Sequence, residues 1–219
     1  MKVTTDASLF GAWTAADLQK NNAEGNLLDI GTGTGLLSLM VAQKNYLQID
    51  AIEIDPSAAK EAEGNVIDSS FKEQVYVHQV DIALFEKSGY NYIISNPPFY
   101  ENELISPSAD KNIAHHSHLL KWSELFQIIH NKLNLNGFFF LLLPSKRKDE
   151  AEHGLLQQGL YISSIVSVKQ TPNHAAFRII VKGSKMKAVR KELEIVIRDE
   201  HDHYTPEFIS LLKDYYLYL

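Results

Sequence analysis

Asn96-Pro97-Pro98-Phe99 closes the apolar run Tyr90–Ser95, and these residue types suit one chemical task. Neither proline carries a backbone N–H, and each fixes its own φ. The residue ahead of a proline is also driven out of the helical region. A strand therefore ends in a stiff, extended elbow with Asn96 held at its lip. The asparagine amide oxygen and the Pro97 carbonyl can both accept from one flat NH₂ group, while Phe99 or Tyr100 stacks on its plane. A bare Asn-Pro pair would be an ordinary strand-terminating turn. The neighbouring motifs argue for a site.

The first of these is Leu28-Asp29-Ile30-Gly31-Thr32-Gly33-Thr34-Gly35. Glycines at alternate positions let the chain turn tightly and bring backbone N–H groups close to a ligand. The spacing is not the Gly-x-Gly-x-x-Gly of dinucleotide proteins, nor a P-loop, which needs Gly-Lys-Ser/Thr. A helix N-terminus favours an anion. Asp29 at that point suits a ligand carrying a sulfonium, an ammonium and a carboxylate better than a pyrophosphate. Glu53 ends the next apolar run, 22 residues after Gly31, where an acid commonly accepts from ribose hydroxyls. Asp55, followed by Pro56, reads as a helix N-cap. Asp81 is placed to accept from an adenine amino group with Ile82 against the ring, or else serves as a turn aspartate.

These residues need elements to hold them. Strands are expected at Asn26–Ile30, Gln48–Glu53, Gln74–Gln79, Tyr90–Ser95 and Gly137–Leu143. Helices are expected at Gly35–Lys44, Ser57–Ile67, Trp122–Leu133 and Lys146–Gln157. A polar, His-rich stretch runs from Glu101 to His118. Beyond it the chain becomes strand-rich, at Tyr161–Lys169, Ala176–Lys182 and Leu193–Arg198, before a last helix from Pro206 to about Tyr216. The alternation predicts an α/β, doubly wound, mostly parallel sheet with antiparallel strands at one edge. The expected division is a pre-strand segment over 1–25, a ligand-binding core over 26–145 and C-terminal strands and helix over 146–219, all in one domain. Every candidate residue then falls at the carboxyl end of strands one to four, where open α/β sheets bind ligands.

Composition narrows the class. The chain has 219 residues, 45% hydrophobic and 22% charged, which are globular values. No apolar run approaches the ~20 residues of a membrane span. With no cysteine there is no disulfide or thiolate metal site, which fits a cytosolic protein. The net charge of −6 argues mildly against nucleic acid. Its distribution weakens that objection, because Ser145-Lys146-Arg147-Lys148 forms one basic cluster and Lys182, Lys185, Lys187, Arg190 and Lys191 another.

Asp-x-Gly-x-Gly-x-Gly at 29–35, Glu53, Asp81 and Asn96-Pro97-Pro98-Phe99 together resemble class I S-adenosylmethionine-dependent methyltransferases, in the Rossmann-like subgroup that methylates exocyclic or amide nitrogens. The resemblance implies that Asp29, Gly31, Gly33, Gly35, Glu53, Asp81, Ile82 and Asn96 hold S-adenosylmethionine. It also implies that Asn96, Pro97, Pro98 and Phe99 form the catalytic elbow. A closer likeness rests on Met1-Lys2-Val3-Thr4-Thr5-Asp6-Ala7-Ser8-Leu9-Phe10-Gly11-Ala12-Trp13, on Ser95–Tyr100 and on Arg198-Asp199-Glu200…Tyr204-Thr205. These look like the bacterial tRNA adenine-N6 methyltransferases that modify adenine 37 of valine tRNA. That family implies Lys2 and Thr5 beside the cofactor, Phe99 and Tyr100 on the substrate base, a tRNA partner, a monomer or weak dimer, no metal and a cytoplasmic setting. Its members usually begin further upstream, so part of the RNA-facing surface is expected to lie outside this sequence. The expected chemistry is in-line methyl transfer to an amino nitrogen whose two N–H groups are held by Asn96 and the Pro97 carbonyl. A protein glutamine or a small amine would fit the same elbow.

His115-His116-Ser117-His118 reads as a polar loop beside the pocket rather than a zinc site, since adjacent histidines rarely converge on one ion. His201-Asp202-His203 reads as an exposed turn, Trp13 and Trp122 as core residues, and Phe138–Phe140 as part of a buried strand.

Overall fold

Strands that alternate with helices must bury both faces, so their sequences run apolar with little alternation. That pattern holds in the computed structural model, which describes residues 3–98 and 120–218. Lys2, Phe99, Tyr100 and the histidines at 115–118 lie outside the described residues. The sheet has eight strands: β1 (Asn26–Ile30), β2 (Gln48–Glu53), β3 (Val75–Gln79), β4 (Tyr90–Ser95), β5 (Leu133–Pro144), β6 (Tyr161–Lys169), β7 (Arg178–Ser184) and β8 (Lys191–Val196). Their spatial order is β3-β2-β1-β4-β5-β7-β6-β8. Only β7 runs antiparallel to its neighbours; β6 and β8 pair in parallel with each other. The expected antiparallel edge is thus a single reversed strand between β5 and β6.

Two apolar clusters cover the two faces. On one side α1 (Thr5–Lys20) and α2 (Leu36–Lys44) pack with the C-terminal helix, α6 (Pro206–Leu212), around Phe10, Leu27, Ile49, Phe140 and Phe208. On the other, α4 (Trp122–Lys132) and α5 (Lys148–Gln157) pack around Leu28, Ile93, Phe126, Phe139 and Leu155. A further helix, α3 (Pro56–Ile67), follows β2.

The sequence pattern passed over α1 because Ala7 to Ala12, Ala15 and Leu18 are buried on nearly every side, leaving no polar face to reveal a helical period. Asp6 and Asp17 on this helix pair with Arg178 (2.8 Å) and Lys182 (2.6 Å) of β7. Strand β5 begins at Leu133, four residues before its expected start, directly after α4. The register jumps between Tyr90↔Leu133 and Tyr92↔Phe138, so the Asn134–Gly137 stretch bulges. Gly137 is required there, since a Cβ would lie 2.8 Å from the Asn91 carbonyl oxygen.

Strands β7 and β8 start two residues away from their expected positions, later and earlier respectively. The outer strand β8 is mostly exposed, and its charged Lys191 and Glu192 conceal its start in the sequence, although charge on an edge strand is normal. α6 stops at Leu212 rather than near Tyr216. Beyond it the chain is tied back to α2 by Gln43 and Lys44, which donate to the Asp214 carbonyl (2.7 Å) and carboxylate (2.5 Å). Tyr215 also donates to the Met40 carbonyl.

Candidate active site

The carboxyl ends of three adjacent strands are level. Ile30 pairs with Ile52 on one side and Ser95 on the other. Ser95 Oγ donates to the Ile30 carbonyl at 2.8 Å, which fastens the end of β4 to that of β1. Gly31, Glu53 and Asn96 therefore leave the sheet side by side. At the far end Asn26 and Asn91 exchange backbone-to-amide hydrogen bonds (3.2 and 2.9 Å) that fix the same register.

Asp29 is fully buried. Its Oδ2 accepts from the hydroxyls of Thr32 and Ser38, each at 2.7 Å. Burial pushes its carboxyl up to about 6 against the lowering effect of those hydroxyls, and Glu53 nearby adds to the rise. Oδ1 is buried without a partner. Thr32 and Ser38 were not singled out from the sequence; a hydroxyl inside the glycine loop and another three residues past Gly35 are the signal that could have found them.

Glu53 is buried, and both of its oxygens serve the backbone. Oε2 accepts from Gly33 N–H and Oε1 from Asp55 N–H, both at 2.9 Å. Each carboxylate oxygen retains a second lone pair for a ligand. The glycine loop differs from expectation in one respect. The N–H groups of Gly31 and Thr32 both donate to the Ile52 carbonyl at 2.9 Å, and that of Gly33 to Glu53. These donors face β2 rather than a ligand. What the loop presents is open surface: Gly31 has φ +73, and nothing lies within 4 Å of where its Cβ would stand. Gly35, also left-handed at φ +82, is the N-cap of α2, and a Cβ there would touch Ala62 of α3 at 3.5 Å.

Asp55 caps α3 by accepting from Ala58 N–H at 2.8 Å. Val80 N–H donates to the Glu53 carbonyl (3.0 Å), which places Asp81 just past the end of β3 beside that of β2. One oxygen of Asp81 accepts from Ala83 N–H at 2.9 Å, the geometry of a turn aspartate. Ile82 is only 7% exposed and packs with Ile30 and Ile52, so its available ligand surface is small. Thr5 is exposed at the start of α1. Trp13 is half-buried and meets Phe140 edge-on, with ring centroids 6.3 Å apart, as a core residue would.

At the elbow Pro97 is buried and Pro98 exposed. The Asn96 amide oxygen is buried and has no hydrogen-bond partner among the described residues. A cavity of about 480 Å³ adjoins Pro98, walled by Trp122, Phe126 and Arg147. His201 and His203 lie in an exposed turn, where their backbone N–H groups donate to Asp199. Among the described residues no cluster of three or more His, Asp or Glu could hold a metal ion. No helix among them is long and apolar enough to cross a membrane.

Residues 13–139 match the methyltransferase small domain family. The tRNA1(Val) (adenine(37)-N6)-methyltransferase of Dyadobacter fermentans is 37% identical over 224 residues, covering 99% of this chain and 91% of that protein. The enzyme of the same name from Bacteroides fragilis is 33% identical over 221 residues, with the same shares covered. The chain belongs to this methyltransferase family. Among solved structures, the methyltransferase is similar to a predicted O-methyltransferase from Agrobacterium tumefaciens, with a TM-score of 0.71 at 16% identity over 94% of both chains. It also resembles a putative RNA methyltransferase from Pyrococcus horikoshii, with a TM-score of 0.59 at 19% identity over 83% of both chains. These likenesses show the Rossmann-like methyltransferase fold.

Proposed function

We propose that this methyltransferase uses S-adenosylmethionine to methylate N6 of an unpaired adenine in tRNA, adenine 37 of valine tRNA as in the names of its relatives. The observation that carries the reading is the buried, unpartnered amide oxygen of Asn96. An acceptor of this kind is costly to leave unpaired, and an amino group of the substrate would satisfy it.

The residues fit the cofactor in kind. Glu53 has lone pairs for ribose hydroxyls, Asp29 has an unpartnered carboxylate oxygen close to the glycine loop, and the Gly31 surface is open. When bound, S-adenosylmethionine supplies an electrophilic methyl group on its sulfonium. Asn96 Oδ1 and the Pro97 carbonyl accept the two N–H groups of the adenine amine. Those bonds draw the nitrogen lone pair out of conjugation and aim it, so positioning and electrostatics supply the acceleration. No strong base is needed beforehand, because the amine proton becomes acidic only once the nitrogen is alkylated. The backbone of the double proline holds the acceptors in place without relying on a mobile loop.

The test is transfer of labelled methyl from S-adenosylmethionine to a valine tRNA transcript, followed by nucleoside mass spectrometry. N6-methyladenosine at position 37 is expected. Label appearing in a protein glutamine instead, with none in tRNA, would overturn the reading.

A further inference from the structure

The cavity beside Pro98 is unassigned by the family match, and its wall has an unusual construction. Arg147 sits over the ring of Trp122, its guanidinium carbon 3.8 Å from the ring centroid. Glu150 holds the same guanidinium edge-on, accepting from Nε at 2.8 Å and Nη2 at 2.6 Å. Trp122 beneath is itself buried and packs against Phe126, with ring centroids 5.9 Å apart. The close approach of α5 is permitted by Gly154, where a Cβ would stand 2.9 Å from the Phe126 ring. A surface arginine normally keeps much of its rotamer freedom. This one has been fixed on one face and one edge, and its side chain is still 33% exposed.

We propose that the Arg147 guanidinium is a stacking plate for the nucleobase next to the target adenine in the RNA strand. A fixed guanidinium plane stacks on a base as an aromatic ring does, and adds cationic attraction. Position selects the occupant: Pro98, two residues from Asn96, lines the same cavity, so a strand that delivers one base to the elbow brings its neighbour here. Charge agrees. Lys121 and Arg147 line the cavity, Lys146 stands exposed beside them, and among the described lining residues the only acid, Glu150, is already paired with Arg147. This basic corner on a chain of net charge −6 suits a phosphate backbone. The inference rests on an RNA substrate.

The experiment measures kcat/KM for methyl transfer to three transcripts: intact tRNA, tRNA abasic immediately 5′ of the target and tRNA abasic immediately 3′ of it. The wild type should lose roughly tenfold on one abasic transcript, the scale of a single base-stacking contact. Arg147→Ala should lose roughly tenfold on intact tRNA and nothing further on that same abasic transcript. Arg147→Lys should behave like the alanine variant, because it keeps the charge and removes the plane. Cofactor affinity by calorimetry should stay unchanged, and if Arg147→Ala fails to fold, Arg147→Lys carries the same comparison. Losses that multiply on both abasic transcripts, or full activity in Arg147→Lys, would overturn the stacking role. Wild-type protein that methylates no RNA, while still binding cofactor, would instead remove the RNA reading on which the inference stands.

Discussion

The Asp29–Glu53 corner and the Asn96 elbow leave the same edge of one sheet, yet they are finished to different degrees. In the corner, four hydrogen bonds from Thr32, Ser38, Gly33 and Asp55 converge on two carboxylates. The anions and the glycine loop hold one another in shape. At the elbow, backbone stiffness does the holding, and the buried Asn96 amide oxygen has no partner among the described residues. On the proposed function, the half that takes the cofactor is built by folding, whereas the acceptor half is completed by its substrate. Damage to the corner should therefore appear in stability and cofactor affinity together. Damage to the elbow should appear in turnover alone.

The largest expected effect is at the elbow. Asn96→Ala should lower kcat by about 10²–10³, the range found when one preorganised hydrogen-bonding group is removed from a site where charge develops. Cofactor affinity should change less than about threefold, and thermal stability should hold or rise slightly, because an unpaired buried acceptor disappears. Steady-state kinetics with calorimetry separates the two. Equal losses in turnover and cofactor binding would erase the distinction between the regions.

The corner responds in the opposite way. Glu53→Ala leaves the buried Gly33 N–H without its acceptor, at about 1–3 kcal/mol, while the Asp55 N–H, on an exposed residue, can turn to water. Urea unfolding should show a loss of about 2 kcal/mol, with cofactor affinity falling by more than tenfold as the loop loosens. A variant with unchanged stability and reduced affinity would mean that Glu53 serves the ligand only.

Asp29 adds a pH test. Its folded carboxyl is pushed up to about 6 from 3.8 by burial. A raised acid contributes stability that is complete below the unfolded value. That contribution is lost as pH rises to about 6 and stays constant above it. Cofactor binding should run the other way, because a cationic ligand prefers the ionised form. Affinity should be level above about pH 7 and fall by roughly fivefold between pH 6 and pH 5. Asp29→Asn should flatten that profile. Wild-type affinity that stays level from pH 5 to 8 would show that Asp29 keeps the loop in shape without meeting the ligand's charge.

The same contrast explains which parts of the molecule could be read from the sequence. Strands β1 to β4 and the residues at their ends were legible because glycine, proline and buried acids have few structural uses. Asp29, Glu53 and Asn96 do come together as their spacing implied. The direction of the loop's N–H groups was not legible, since it depends on Ile52 and Glu53 of a neighbouring strand. Helix α1 was hidden because burial on nearly all sides removes the amphipathic period. The Arg147–Trp122 plate joins residues 25 positions apart on two helical segments; the sequence presented only a basic cluster and a core tryptophan.

The smallest expected effect draws the boundary of the corner. Asp55 accepts from Ala58 N–H at 2.8 Å and donates its own N–H to Glu53. Replacing it with alanine removes the side-chain cap and leaves the backbone bond to Glu53 intact. An N-cap aspartate contributes about 1 kcal/mol, which in a chain of 219 residues is a melting shift of about 2–4 °C. Cofactor affinity and turnover should not move. If Asp55→Ala also weakened cofactor binding severalfold, the cap of α3 would have to be counted with Glu53 as part of the preformed corner, rather than as its outer support.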